Sequence, residues 1–548
     1  MKVDPFRTDI GRRIFQHRYM QGPNDHWGAL SRRVVEDVCG TRWGTEPFPL
    51  MSLEDRKRLQ YYIEQMKFIP GGRYLYYAGR PLHFFNNCFL LKAEEDSREE
   101  WGNLLKRCSD ALMSGGGIGI DHSIIRPSGR ILQRTGGISS GPLPLMSSIN
   151  EHGRNVMQGG SRRSAILQLL NWLHEDIYMF LHAKDWSDEI VALKAQDYTF
   201  PAPFDQSNIS ISWDTEFIEG YLCDNEIPDL WYESVEQMLR TGEPGHRYNF
   251  YENEHETLTN ACGEVTSEDD SDCCNLGSVN MSRIDSLAEF IDVCSLGAKF
   301  LVCGTLRGDV PYKKVEAIRA KNRRIGLGLM GIHEWLLKRN HKYEPTADLA
   351  VWLESYEAYS EEGANEICDR LYLNRPVKYR AIAPTGTIGM LASTTTGIEP
   401  LFSVAAKRRY LVDGKQWKYE FIVDATADYL IKEKGVDPEA IETSMTLAEN
   451  PERRIAFQAF VQKFVDHSIS STLNLPAWGS DSNNPDKVRG FADMLLRYAP
   501  MLRGITCYPD GSRGGQPMTS VPYEEAISKQ GMVFDDDEAK CGGGICGL

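Results

Sequence analysis

The chain reads as an α/β protein on two observations. Short apolar strand-like runs alternate with amphipathic helical patterns, and glycine-rich segments recur between them. Those segments are Ser114-Gly-Gly-Gly-Ile-Gly-Ile-Asp121, Thr135-Gly-Gly-Ile-Ser-Ser-Gly141 and Gln158-Gly-Gly-Ser-Arg-Arg163, and they predict close backbone approaches at a sheet rim.

In chain order, the part to about Gly79 is expected to be helical. Ser52-Leu-Glu-Asp55 opens a helix there, and an apolar stripe continues through Met66. Phe84 to Leu91 is an apolar run of strand length bounded by Pro81 and a charged stretch. Leu143 to Met157 and Leu167 to Ala183 read as helices, Asp185 to Ser207 as a polar loop. Longer helices are expected over Leu287 to Leu306, Ala347 to Leu371 and Glu452 to Thr472. Ala381-Ile-Ala383 runs as a strand into Pro384-Thr-Gly-Thr387, and a helix start follows. That order presents free N–H groups to a phosphate. No Walker-type lysine follows the turn, which disfavours P-loop nucleotide hydrolysis.

The chain has 548 residues, 41% of them hydrophobic and 25% charged, as in an ordinary soluble globular protein. Charged residues interrupt the apolar positions from Met1 to Met20, so no signal peptide is visible, and no stretch approaches a membrane span. A net charge of −16 argues against a nucleic-acid or anionic membrane partner. It leaves room for a small phosphorylated substrate held by a local nest of N–H groups.

Thirteen cysteines are too dilute for a disulfide scaffold in a chain of this length. Cys108, Cys294, Cys303 and Cys368 lie on helical apolar faces and read as core filler, while Cys39, Cys223 and Cys507 stay undecided between core and surface filler. Cys88 differs, because Asn86 and Asn87 precede it inside an apolar run and need polar partners. Cys262 lies in Asn260-Ala-Cys-Gly-Glu264, which reads as a polar loop tip inserted among other elements. Cys273 and Cys274 follow, and the chain ends in Cys541-Gly-Gly-Gly-Ile-Cys546-Gly-Leu, a dithiol on a glycine-rich tail. A zinc site is the competing reading of these thiols. It is the minority one, since no histidine stands at ligand spacing from the tail.

Taken in order, these segments resemble the large chain of ribonucleotide reductases, most closely the adenosylcobalamin-dependent class. The resemblance spans nearly the whole chain. It includes Pro70 to Arg73, Asn87-Cys88-Phe89, Ser114 to Asp121, Thr135 to Pro142, Gln158 to Arg163 and Asn208-Ile-Ser210. Asn260 to Glu264, Cys274 to Ser278, Arg324 to Gly328, Pro384 to Thr387, Gly397 to Pro400 and the cysteine tail complete it. The resemblance implies a ten-stranded α/β barrel of two five-stranded half-sheets, with the radical cysteine on a central finger loop. It implies an N-terminal helical region over 1–80, the barrel over 81–530 and a flexible redox-active tail over 531–548.

By the same resemblance, Cys262 corresponds to the thiyl-radical cysteine, and Asn260 and Glu264 to the groups that hold the ribose hydroxyls. Cys88 and Cys274 correspond to the reducing pair, with Cys273 as the alternative partner, and Cys541 and Cys546 to the thiols that re-reduce it. Asn87, Ser210, Thr385, Gly386 and Thr387 are expected to bind substrate. The expected cofactor is adenosylcobalamin, and the expected partners are a ribonucleoside di- or triphosphate, a thioredoxin- or glutaredoxin-like reductant and a nucleotide effector. The alternative is a large subunit served by a separate radical-generating metallo-subunit. Such relatives carry a C-terminal Tyr-Tyr pair, whereas Thr506-Cys-Tyr508-Pro offers one tyrosine. Two other features depart from the family pattern: Ala261 stands where proline is usual, and no N-terminal nucleotide-binding cone is evident. A monomer or homodimer in the cytoplasm is expected, and the compact length would suit a phage-encoded enzyme in its host.

Overall fold

The computed structural model describes residues 5–41, 48–133, 136–156, 164–197, 200–224, 226–412, 416–512, 518–530 and 532–535. The barrel's first half is built from β2 to β6, and β1 (Phe68–Pro70) precedes it. These strands are β2 (Cys88–Lys92), β3 (Gly117–Asp121), β4 (Ile166–Asn171), β5 (Ser207–Asp214) and β6 (Gly245–Asn249). They pair parallel in that order. A short hairpin follows, β7 (Leu258–Thr259) and β8 (Thr266–Ser267), and then β9 (Asp272–Asn280) and β10 (Ile325–Met330), which pair parallel.

A four-stranded antiparallel sheet lies apart from these. It combines β11 (Ala405–Val412) and β12 (Gln416–Val423) with two strands near the C-terminus. Between them in sequence come β13 (Thr472–Leu475) and β14 (Gly504–Pro509), paired parallel, and the sheet is completed by β15 (Met518–Ser520) and β16 (Val533–Asp535).

The two halves of the barrel meet antiparallel at both seams, β2 against β9 and β6 against β14. Single bridges Leu327↔Arg380 and Ile382↔Ile469 carry the second half from β10 through residues 380–382 to the line of β13, which closes the ring. The fold is thus the expected α/β barrel. Helices pack outside it. Leu287–Arg307 and Ala347–Arg370 lie in one large apolar cluster with the N-terminal helices, and a second cluster sits beneath β5, β6 and β14. Among the described residues, no helix is long and apolar enough to cross a membrane.

Local structure departs from the sequence reading in several places. The strand expected over Phe84 to Leu91 starts only at Cys88, and Ala381 to Ala383 contributes a single bridge rather than a strand. The N-terminal stretch contains the expected helices, with the Asp55 amide donating to the Ser52 hydroxyl at 3.1 Å. It also contributes β1, which pairs with β9 because Phe68 and Ile69 are needed in the core. Leu167 to Ala183 is not one helix but β4 followed by the helix Ile177–Leu181. Leu167, Leu169 and Leu170 are buried in the parallel sheet, where strands read as continuous apolar runs without a helix-excluding period. The loop Asp185 to Ser207 holds a helix, Asp188–Gln196, capped by Ser187.

The helix expected to reach Thr472 stops at Gln462. The Gln462 amide donates to the carbonyls of Val465 and His467, both at 2.9 Å. The Asp466 carboxylate then accepts from the Tyr379 and Arg380 N–H groups at 2.9 and 2.8 Å. Those bonds draw the chain out of the helix and alongside the β7–β8 hairpin.

Candidate active site

The β7–β8 hairpin is a finger inside the barrel. Leu258 and Val265 pack there with Leu90, Cys274, Leu276 and Ala381, which come from strands of both halves. Space for it comes from glycines on β3. A Cβ at Gly119 would lie 1.7 Å from the Thr259 carbonyl oxygen, and one at Gly117 would lie 3.0 Å from the Ala261 Cβ. The glycine-rich segment around 117 is therefore the groove that admits the finger.

Asn260 builds the turn at the finger's tip. Its Oδ1 accepts from the N–H groups of Gly263 and Val265, both at 3.0 Å, and its own N–H donates to the Val265 carbonyl at 3.2 Å. Gly263 takes φ +85°, in the left-handed region that glycine tolerates. Its missing Cβ leaves room for the Arg247 guanidinium, whose Nη1 donates to the Gly263 carbonyl at 3.1 Å. At the finger's base, the Glu256 carboxylate gathers Lys378, Arg503 at 3.1 Å, Arg324 at 3.3 Å and the Thr266 hydroxyl at 2.8 Å. That node ties the hairpin to three separate parts of the barrel wall.

Around the tip, the structure brings together Cys88, Asn260, Cys262, Glu264 and Cys274. Cys88 and Cys274 are register partners on β2 and β9. Side chains alternate along a strand, so Cys273 turns to the other face, where it packs with Phe89, Leu91, Cys108 and Val315. Asn87 donates its N–H to the Cys274 carbonyl at 3.2 Å, and its Oδ1 is buried without a partner.

Burial pushes the Glu264 carboxyl up to about 7, against the opposing pull of its own amide N–H, the Asn260 side chain and Arg247. Asn260 lies close enough to pull on Glu264, yet Glu264 Oε2 and Asn260 Nδ2 are buried without a properly formed hydrogen bond, which is costly unless a polar ligand fills the gap. Burial, with Glu264 nearby, also raises the thiols: Cys88 to about 12, and Cys262 and Cys274 well above the usual range. All three are S–H groups at neutral pH, suited to hydrogen-atom and proton donation rather than to thiolate attack.

Cys262 is exposed and lines a cavity of about 180 Å³ whose walls include Ser210, Arg247, Pro384, Thr506 and Tyr508. Cys88, Cys274 and Glu264 are not in those walls, while Glu264 and Cys88 act electrostatically on the Cys262 thiol. Ser210 of β5 lines the cavity as well.

Thr385 takes φ +51° and caps the helix Gly386–Ala392. Its hydroxyl is spent internally, accepting from the Gly397 N–H at 2.8 Å. Gly386 faces open space, and the Thr387 hydroxyl accepts from Arg18 at 3.3 Å. Cys541, Cys546 and the segment Gln158 to Arg163 lie outside the described residues.

The sequence reading missed Arg247, Glu256 and the stretch His467-Ser468. The Ser468 N–H donates to the Glu264 carbonyl at 2.9 Å, and the buried His467 Nδ1 accepts from the Thr266 N–H at 3.2 Å. Arg247 sits in the fully buried strand β6, and nothing in a linear reading marks a strand arginine as facing a finger from elsewhere in the chain.

The family described as ribonucleotide reductase, barrel domain, matches residues 86–228, 224–358 and 375–499. A protein of Thermoplasma acidophilum named vitamin B12-dependent ribonucleoside-diphosphate reductase is 25% identical, over 97% of this chain and 74% of its own length. A Mycobacterium tuberculosis protein of the same name is 26% identical, over 98% of this chain and 83% of its own length. A protein of Mycobacterium phage D29, provisionally named an adenosylcobalamin-dependent ribonucleoside-triphosphate reductase, is 27% identical over 82% of this chain and 75% of its own length.

Proposed function

Because the chain belongs to the ribonucleotide reductase family, we propose that it reduces ribonucleotides to 2′-deoxyribonucleotides and draws its radical from adenosylcobalamin, as the names of its relatives indicate for them. The observation that carries this reading is the placing of Cys262, open to a cavity and set against Glu264 and Cys88 within the barrel.

The cavity suits the cofactor's nucleoside end. Gly245 and Gly504 keep its wall flush, since a Cβ at either would strike Ser210 Oγ at 2.8 Å or Arg247 Nη1 at 2.6 Å. Asn208, Thr506 and Tyr508 supply the polar lining that a nucleoside needs, and Ser210, expected to bind substrate, stands in the same wall. When bound, the cofactor supplies the one-electron chemistry that removes a hydrogen atom from a thiol.

The remaining steps belong to this chain. Cys262, as thiyl, takes the ribose 3′ hydrogen, while the Glu264 carboxylate accepts the 3′-hydroxyl proton. Asn260 Nδ2, otherwise without a properly formed hydrogen bond, donates to a ribose hydroxyl. One thiol of the Cys88–Cys274 pair protonates the departing 2′ oxygen, which leaves as water. The pair closes to a disulfide and so gives up two electrons, its second hydrogen going to the 2′ carbon. Glu264 returns the proton to the 3′ oxygen, and Cys262 returns its hydrogen to the 3′ carbon. The tail thiols Cys541 and Cys546 then reopen the disulfide by exchange, and a thioredoxin- or glutaredoxin-like dithiol restores them. Thr385, Gly386 and Thr387 hold the phosphates. The closed barrel keeps water from the radical.

Purified chain is incubated with adenosylcobalamin, dithiothreitol and one ribonucleotide as its di- and its triphosphate. Deoxyribonucleotide formed without a second protein supports the proposal. Turnover that appears only when a metallo-subunit is added supports the large-subunit alternative instead.

A further inference from the structure

Arg247 is buried, 7% exposed, on a strand that faces the finger. Its guanidinium occupies a slot left by two glycines. A Cβ at Gly263 would lie 2.0 Å from Nη2, and one at Gly504 would lie 2.6 Å from Nη1. One bond, to the Gly263 carbonyl at 3.1 Å, holds it to the finger's turn, and its Nε is buried without a partner. Among the described residues no carboxylate forms an ion pair with it. The acidic groups it faces are the Glu264 carboxyl first, then the Cys262 thiol and the hydroxyls of Tyr248 and Tyr508. Burying a guanidinium without a paired carboxylate is costly, and burial lowers this one to about 10. A strand position that needed only packing would be filled more cheaply by leucine or methionine.

We infer that Arg247 is a positioning residue for the chemistry at Cys262: its guanidinium fixes the turn from Cys262 to Glu264 and sets a positive charge against both side chains. The effect on turnover rests on the roles proposed above for those two residues; the effect on the thiol itself does not.

Glu264 meets Asn260 and Cys262 from the finger and Arg247 from β6, and it raises the Cys88 thiol of β2 and the Cys274 thiol of β9. Arg247 is the cation among these groups. Its removal therefore makes ionisation harder for both Glu264 and Cys262, and both shifts run toward higher pH.

The test compares Arg247→Gln, Arg247→Met and Arg247→Lys with wild type, using iodoacetamide alkylation of Cys262 at pH 9 read by peptide mass mapping. Cys223, which is exposed, serves as the internal reference. No cofactor or substrate is needed. The Gln and Met variants are expected to alkylate Cys262 about tenfold more slowly, as a shift of one pH unit gives, and Lys to stay within about threefold of wild type. In turnover assays, the acid limb of kcat/KM should move up by about one pH unit for Gln and Met and stay in place for Lys.

A Gln variant that melts like wild type and alkylates at the wild-type rate or faster would overturn the inference, since a merely loosened turn improves access to the thiol. Lys behaving like Gln would overturn it too. If Arg247→Met does not fold, Gln carries the comparison, because it keeps a donor for the Gly263 carbonyl. Absence of turnover in wild type would sink the proposed function and leave the alkylation result to decide Arg247.

Discussion

Cys88 and Cys274 stand directly opposite one another across the antiparallel seam where the two half-barrels meet. Opposed residues on antiparallel strands have Cβ atoms about 4.5–5.5 Å apart, so a small adjustment brings two sulfurs into bonding range. Cys273, one residue away, faces the packed outer side with Phe89 and Cys108.

A single turnover without reductant should therefore link Cys88 to Cys274 and leave Cys273 reduced, as peptide mass mapping will read. Cys274→Ser is expected to stop turnover, whereas Cys273→Ser should keep it within about threefold, the cost of a modest core change. A Cys88–Cys273 disulfide would reverse the assignment.

The pH profile follows from Glu264. The base form is the carboxylate, and burial holds the group near 7. Activity should thus be full above pH 7 and kcat/KM should fall about tenfold per unit below it. The neighbouring thiols at 88, 262 and 274 stay protonated throughout that range. Glu264→Gln should lower kcat by about 10²–10⁴-fold. A profile that stays flat to pH 5 would remove Glu264 from the role of base.

Gly119 tests the finger's seat. An added methyl there meets the Thr259 backbone, which cannot swing aside as a flexible side chain would. Gly119→Ala should destabilise the protein by about 1–3 kcal/mol in thermal melts and displace Cys262, with turnover falling more than stability does. Gly22, which has open space around it and no left-handed φ, is the control site for a neutral change in packing.

The paired helix Ala347–Arg370, the Ser52 cap and the buried helical cysteines were legible in the sequence because each depends on local period or local hydrogen bonding. The order of motifs also carried the barrel and the finger. What escaped depends on contacts between distant segments. β4 looked helical because a strand buried in a parallel sheet has no polar face to reveal its period. The early end of the helix Pro451–Gln462 is set by Asp466 reaching residues 379 and 380. Arg247 and Glu256 gained meaning only once the barrel closed around residues 260–266.

The tail gives a prediction of chemistry alone. Cys541→Ser should retain turnover with dithiothreitol and lose it with thioredoxin as the reductant, because a small dithiol reaches the Cys88–Cys274 disulfide directly. Equal loss with both reductants would contradict the relay through Cys541 and Cys546.

The most direct measurement is deoxyribonucleotide formation by wild type and by Cys262→Ser, with adenosylcobalamin, dithiothreitol and no second protein. Nucleotide binding is measured alongside by calorimetry. Wild type should turn over, and Cys262→Ser should bind nucleotide normally yet form no product. Product formed by the serine variant would contradict the account at its root.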